Sequence, residues 1–77
     1  MNKQQINELV KINEQLQTLR EKIEDIKNTE EEKRDNMEEK FSETERFQKI
    51  DDNCNYLDSA YNSVDEAISS LNDIIES

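Results

Sequence analysis

The run DDNCN at residues 51 to 55 gathers the side chains best suited to chemistry. Asp51, Asn53 and Asn55 stand at the first three ligand spacings of a calcium loop, in which alternate oxygens wrap a hard cation. Tyr56, however, occupies the place where the loop needs glycine for its sharp turn, and Asn62 the place of the closing bidentate glutamate, so the run is not expected to hold calcium. Cys54 is the only cysteine, and the chain has no histidine and no glycine. The parts for a Cys/His metal site, a Ser–His or Cys–His nucleophile, or a glycine loop around phosphate are therefore missing. No catalytic, cofactor-binding or metal-binding residue is expected, no cofactor is called for, and the chain reads as a non-enzyme.

What remains is charge. Twenty acids against ten bases give a formal charge of −10, which opposes broad contact with nucleic acid or an anionic membrane and favours a protein partner with a basic surface. The imbalance is uneven: residues 50 to 77 hold seven acids and no base. Asp52, Glu66 and Asp73 fall on one seven-spaced column, with Ser59 at the remaining place, a stripe of carboxylates in steps of about 10 Å along a helix that skips one step, which could imitate a phosphate backbone or simply keep the surface solvated. Beside it lie Asn55, Tyr56, Asn62, Ser63, Ser69 and Ser70, mostly poor helix-interior residues, with one aromatic among them. The candidate partner-binding surface is accordingly Asp52, Asn55, Tyr56, Asp58, Asn62, Asp65, Glu66 and Asp73.

These residues need long helices to position them. Apolar residues run Leu9, Ile12, Leu16, Leu19, Ile23, Ile26, in alternating steps of three and four, as the a and d positions of a coiled-coil seam require. A second series runs Phe47, Ile50, Cys54, Leu57, Tyr61, Val64, Ile68, Leu71, Ile75. The two are out of phase by three residues. Ser42 with Glu45 has the form of a capping box, and Lys33 and Arg34 suit the negative end of a preceding helix dipole.

The expectation is an all-α fold: an antiparallel two-helix coiled-coil hairpin forming a single unit over residues 1–77. Helix 1 is placed at about 3–36, the loop at about 37–42 and helix 2 at about 43–76. One continuous helix with a three-residue stammer is the competing arrangement. Folding about residue 40 sets Leu9 against Leu71, Leu19 against Tyr61 and Ile26 against Cys54. The same fold puts Lys27 opposite Asp51 and Arg20 opposite Asp58. A chain of 77 residues with 31% hydrophobic content forms a thin core alone. Ala60, Ala67 and Ile74, spaced by sevens beside the seam of helix 2, are expected as an oligomer interface that assembles two hairpins into a four-helix bundle dimer. No stretch has the length and apolarity of a membrane span or the pattern of a signal peptide, so the cytoplasm is the expected location.

From Glu31 to Ile75, "EEKRDNMEEKFSETERF" followed by a helix with "LDSAYNSVDEAISSLNDI" resembles a largely uncharacterised group of small acidic helical-hairpin proteins of phages and mobile elements of low-GC Gram-positive bacteria. The shared features are the Asp35-Asn36-Met37 turn, the stretch from Ser42 to Arg46, and the Leu/Ala rhythm from Leu57 to Ile68. Glu38 stands where that group usually has proline. The resemblance implies no enzymatic residues. It implies a phage or mobile-element setting, where small acidic proteins bind and inhibit host proteins. The functional expectation is thus an acidic protein–protein interaction module, an inhibitor of a host defence or nucleic-acid-processing protein, of anti-CRISPR or DNA-mimic type. The alternative is a structural or assembly spacer that forms a homo-oligomer.

Overall fold

The computed structural model describes residues 1–37 and 44–77. The sequence periodicity appears as two helices packed against each other, α1 (Lys3–Asp35) and α2 (Glu45–Ile75), in a rod 59 × 14 × 14 Å. One continuous helix is excluded by that packing. Among the described residues there is no strand.

Each helix is closed by local chemistry. At the start of α1, Asn2 Oδ1 accepts from the Gln5 N–H at 2.8 Å while Gln5 Oε1 accepts from the Asn2 N–H at 3.1 Å, a reciprocal capping box. At its end the Asn36 N–H bonds the Glu32 carbonyl at 2.9 Å and Met37 N–H the Arg34 carbonyl at 3.2 Å, with Lys33 and Arg34 in the last turn, where cations meet the negative end of the dipole. The chain therefore leaves the helix at the Asp35-Asn36-Met37 stretch. The cap of α2 is Thr44, whose Oγ1 accepts from the Phe47 N–H at 3.2 Å. Helix 2 thus begins at Glu45 rather than about residue 43, and the expected serine cap, Ser42, lies outside the described residues.

Helix α2 uses the anticipated seam: Phe47, Ile50, Leu57, Tyr61, Val64, Leu71 and Ile75 are half-buried and Cys54 and Ile68 buried. Helix α1 does not. Ile12, Leu19 and Ile26, expected in the seam, are 44%, 48% and 56% exposed. In their place the column Asn13, Arg20, Lys27, Arg34 turns toward α2 beside Leu9, Leu16 and Ile23. The helix is rotated by one seam position, about 50° in a 3.5-residue period.

The register differs too. Asn13 Nδ2 donates to Asn72 Oδ1 at 2.6 Å, Arg20 pairs with Asp65, Lys27 Nζ with Asp58 at 2.9 Å and Arg34 Nη1 with Asp51 at 3.1 Å, and the residue numbers of all four pairs add to 85. That corrects the expected partners: Lys27 meets Asp58 rather than Asp51, and Arg20 meets Asp65 rather than Asp58. Leu9, Leu16 and Ile23 come level with Ile75, Ile68 and Tyr61, and Cys54 comes level with Glu30 rather than Ile26. The physical gain is a ladder of four polar pairs at heptad spacing, with the Arg and Lys stems lying along the seam while their heads reach the α2 carboxylates. The cost is three large aliphatic side chains left about half in water, about 1 kcal/mol each at about 25 cal/mol per Å².

The core is correspondingly thin. Among the described residues only Cys54, Ile68 and Asn13 are buried.

Candidate functional site

The hairpin has two long edges of opposite character. Along one, the polar ladder closes the seam. Three of the four pairs are ionic, and the geometry shows in the titrating groups. Hydrogen bonding to Asp58 raises the Lys27 ammonium above its ordinary value against partial desolvation, with the Asp58, Glu31 and Glu24 charges adding to the rise. Hydrogen bonding to Asp51 raises the Arg34 guanidinium in the same way. The Lys27 ammonium also lies 5.8 Å from the centre of the Tyr61 ring, within cation–π range. Near the turn, Lys33 Nζ donates to Glu30 Oε1 at 2.9 Å, and that bond, helped by the Lys33 charge and Asn53, holds the Glu30 carboxyl below its ordinary value against desolvation.

The DDNCN run is continuous α-helix, which spreads its oxygens around the axis instead of wrapping them about a point. Asp51 faces Arg34, Asp52 Oδ1 accepts from Gln48 Nε2 at 3.0 Å, and Cys54 is 3% exposed. Burial pushes the Cys54 thiol up, the Arg34 charge opposes this, and the carboxylates of Glu31, Glu30 and Asp51 push it further. A thiol so placed is a packing residue, protonated at neutral pH and shielded from reagents.

The candidate partner surface divides. Asp52, Asn55, Tyr56, Asn62, Glu66 and Asp73 are exposed on the outer side of α2, with Tyr56 73% in water. Asp58 and Asp65 lie on the ladder instead, each holding an α1 cation, although their side chains are still 55% and 50% exposed. On α1, Arg20 and Lys27 are committed to these carboxylates and Arg34 to Asp51, which leaves Lys3, Lys11, Lys22 and Lys33 of that helix outside the ladder. Glu66 and Asp73 make no ion pair among the described residues.

Sequence reasoning missed the Asn13–Asn72 contact. Asn13 is 6% exposed and its Oδ1 has no hydrogen-bond partner among the described residues, an orphaned acceptor in the seam. The available signal was an asparagine seven residues before Arg20 and an asparagine seven after Asp65, extending both charged columns by one step.

Along the opposite edge, Ile12, Leu19 and Ile26 of α1 flank the seam on the same side as Ala60, Ala67 and Ile74 of α2. All six are exposed, Ile74 by 39%.

These features define a helical hairpin with one ionic edge and one apolar edge. No helix among the described residues is long and apolar enough to cross a membrane. No family model, no curated protein and no solved structure matches the chain.

Proposed function

We propose that this protein is a non-enzymatic acidic protein–protein interaction module that acts in the cytoplasm by docking the outer face of α2 on a protein with a basic surface. In the phage or mobile-element setting that the resemblance implies, it inhibits a host defence or nucleic-acid-processing protein, in the manner of an anti-CRISPR or a DNA mimic. The observation that carries this reading is the surface around Tyr56. A 73% exposed aromatic stands among asparagines and serines, beside the Asp52, Glu66, Asp73 column, on a stretch with seven acids and no base. Poor helix formers and an exposed ring cost local stability, and a partner that uses them offsets that cost. The surface suits a cation-rich groove, where a carboxylate column displaces phosphates.

The test is capture of basic proteins from a lysate of the source cells by the tagged chain, compared with a variant in which Asp52, Glu66 and Asp73, the exposed column outside the ladder, are changed to Asn or Gln. Loss of the captured protein, together with loss of its salt sensitivity, supports the reading. Unchanged capture and salt dependence overturn it.

A second reading, a structural spacer that assembles into a homo-oligomeric four-helix bundle, is favoured by the exposed apolar edge. It needs no outside partner for its stability, and the two readings make opposite demands on the α2 carboxylates.

A further inference from the structure

We infer that the apolar edge is the seat of a second copy of this chain, and that two hairpins pack antiparallel, face to face, through Ile12, Leu19 and Ile26 of α1 together with Ala60, Ala67 and Ile74 of α2. The inference deepens the assembly reading given above and rests on it, and it places on both helices an interface that the sequence located on α2 alone.

Three observations carry it. The first is the rotation of α1. Alone, the hairpin would bury more apolar surface by turning Ile12, Leu19 and Ile26 into the seam, yet these are 44–56% exposed while Asn13, Arg20 and Lys27 face α2. Half-exposed ion pairs are weak in water, so the ladder does not by itself offset that exposure. A surface that covers the apolar edge does. The small side chains of Ala60 and Ala67 leave room beside them for the larger aliphatics of a facing helix.

The second is charge. Residues on this side of the two helices, taken as the exposed flank, the seam positions beside it and the rim beyond, carry only Glu8, Lys22, Glu30, Lys33, Arg46 and Lys49. That is two acids against four bases on a chain whose formal charge is −10. Between Leu9 and Ile26, and between Leu57 and Ile74, the only charge on this side is Lys22. The acids sit on the ladder edge and the back, so a copy approaching face to face turns its repulsion outward. Toward the turn Lys33 is paired with Glu30, which leaves Arg46 and Lys49 as the excess basic charge there, while Glu8 lies at the open end. An antiparallel arrangement sets the basic ends at opposite poles, each over the other copy's Glu8. A generic acidic partner would lack this self-complementarity, and a two-fold axis supplies it.

The third is area. The two helices overlap over about 25 residues in the observed register, about 38 Å at 1.5 Å per residue, and a helix pair is about 20 Å wide. The whole side therefore offers at most about 760 Å², of the same order as the roughly 800 Å² per partner of a standard interface.

Sedimentation equilibrium of the full chain over a wide concentration range tests this. The expected result is a species of twice the 9.2 kDa chain mass. Leu19→Glu is expected to return it to the single-chain mass, and so is Ala67→Trp, which alters only an exposed position and keeps the hairpin's circular dichroism if Leu19→Glu does not. Asp58→Asn, on the ladder edge, is expected to remain dimeric. A wild-type chain of 9.2 kDa at every concentration overturns the inference, as does a dimer unmoved by both Leu19→Glu and Ala67→Trp, which would point to an opened, swapped hairpin. A wild-type monomer whose captured proteins are lost on neutralising the α2 acids overturns this inference alone. A dimer whose captured proteins are indifferent to that neutralisation overturns the docking reading alone.

Discussion

Asn13→Leu is expected to stabilise the hairpin, although it removes a hydrogen bond. Asn13 is 6% exposed, its Nδ2 donates to Asn72 Oδ1 at 2.6 Å, and its Oδ1 is buried without a hydrogen-bond partner. Leucine forfeits the single amide bond, a net loss of about 0.5–1.5 kcal/mol, and relieves an unsatisfied acceptor that costs about 1–3 kcal/mol. It also buries a side chain worth about 1.5–3 kcal/mol. Asn72 is only half-buried and regains water. The balance is about 3 kcal/mol in favour of leucine, or about 12–24 °C in Tm for a domain of this size. Urea melts followed by circular dichroism, at fixed protein concentration because assembly shifts the midpoint, measure it as a higher midpoint with an unchanged slope. A double-mutant cycle adds the partner. Asn72→Ala strips the last hydrogen bond from a buried amide in the parent chain but touches nothing polar in the Asn13→Leu background, so its cost should be larger in the parent. A lower midpoint for Asn13→Leu, or an equal cost of Asn72→Ala in both backgrounds, refutes the reasoning.

Thr44→Ala removes the acceptor of the Phe47 N–H and is expected to cost about 1 kcal/mol, seen as a lower urea midpoint, with Thr44→Ser largely restoring it. Lys27 titrates above its ordinary value in the folded chain, so its contribution is complete below about pH 10.4 and lost as pH rises through the folded value. The difference in urea midpoint between the parent and Lys27→Met should therefore be constant from neutral pH upward and close only at strongly alkaline pH. A gap that closes near neutrality contradicts the assignment.

How far the sequence reveals this fold depends on the helix. In α2 the apolar residues fill the two seam columns in almost every turn, with Asp, Asn and Ser elsewhere, and one orientation stands out. In α1 they fill two seven-spaced columns, Leu9, Leu16, Ile23 and Ile12, Leu19, Ile26, with Ile6 and Val10 to the other side. The common column is legible, but which neighbour joins it in the seam is not a matter of periodicity. It depends on what the other helix presents, here the Asp51, Asp58, Asp65 column. At the turn the capping pattern points to Ser42 with Glu45, whereas the hydroxyl that caps α2 is that of Thr44, whose backbone is extended at φ −82° and ψ 157°. Of the candidate partner residues, Asp58 and Asp65 could be marked acidic and exposed from sequence. That their carboxylates hold Lys27 and Arg20 required the register.

The equal spacing of the ladder also bears on how the chain finds its folded state. Its cations and acids recur every seven residues, so a hairpin that zips one heptad out of step still joins Arg20 to Asp58 and Lys27 to Asp51. Such a misaligned frame keeps two of the three ionic rungs, so charge pairing alone does not fix the register. Only the observed frame sets Asn13 level with Asn72, so the amide pair distinguishes it from frames one heptad away.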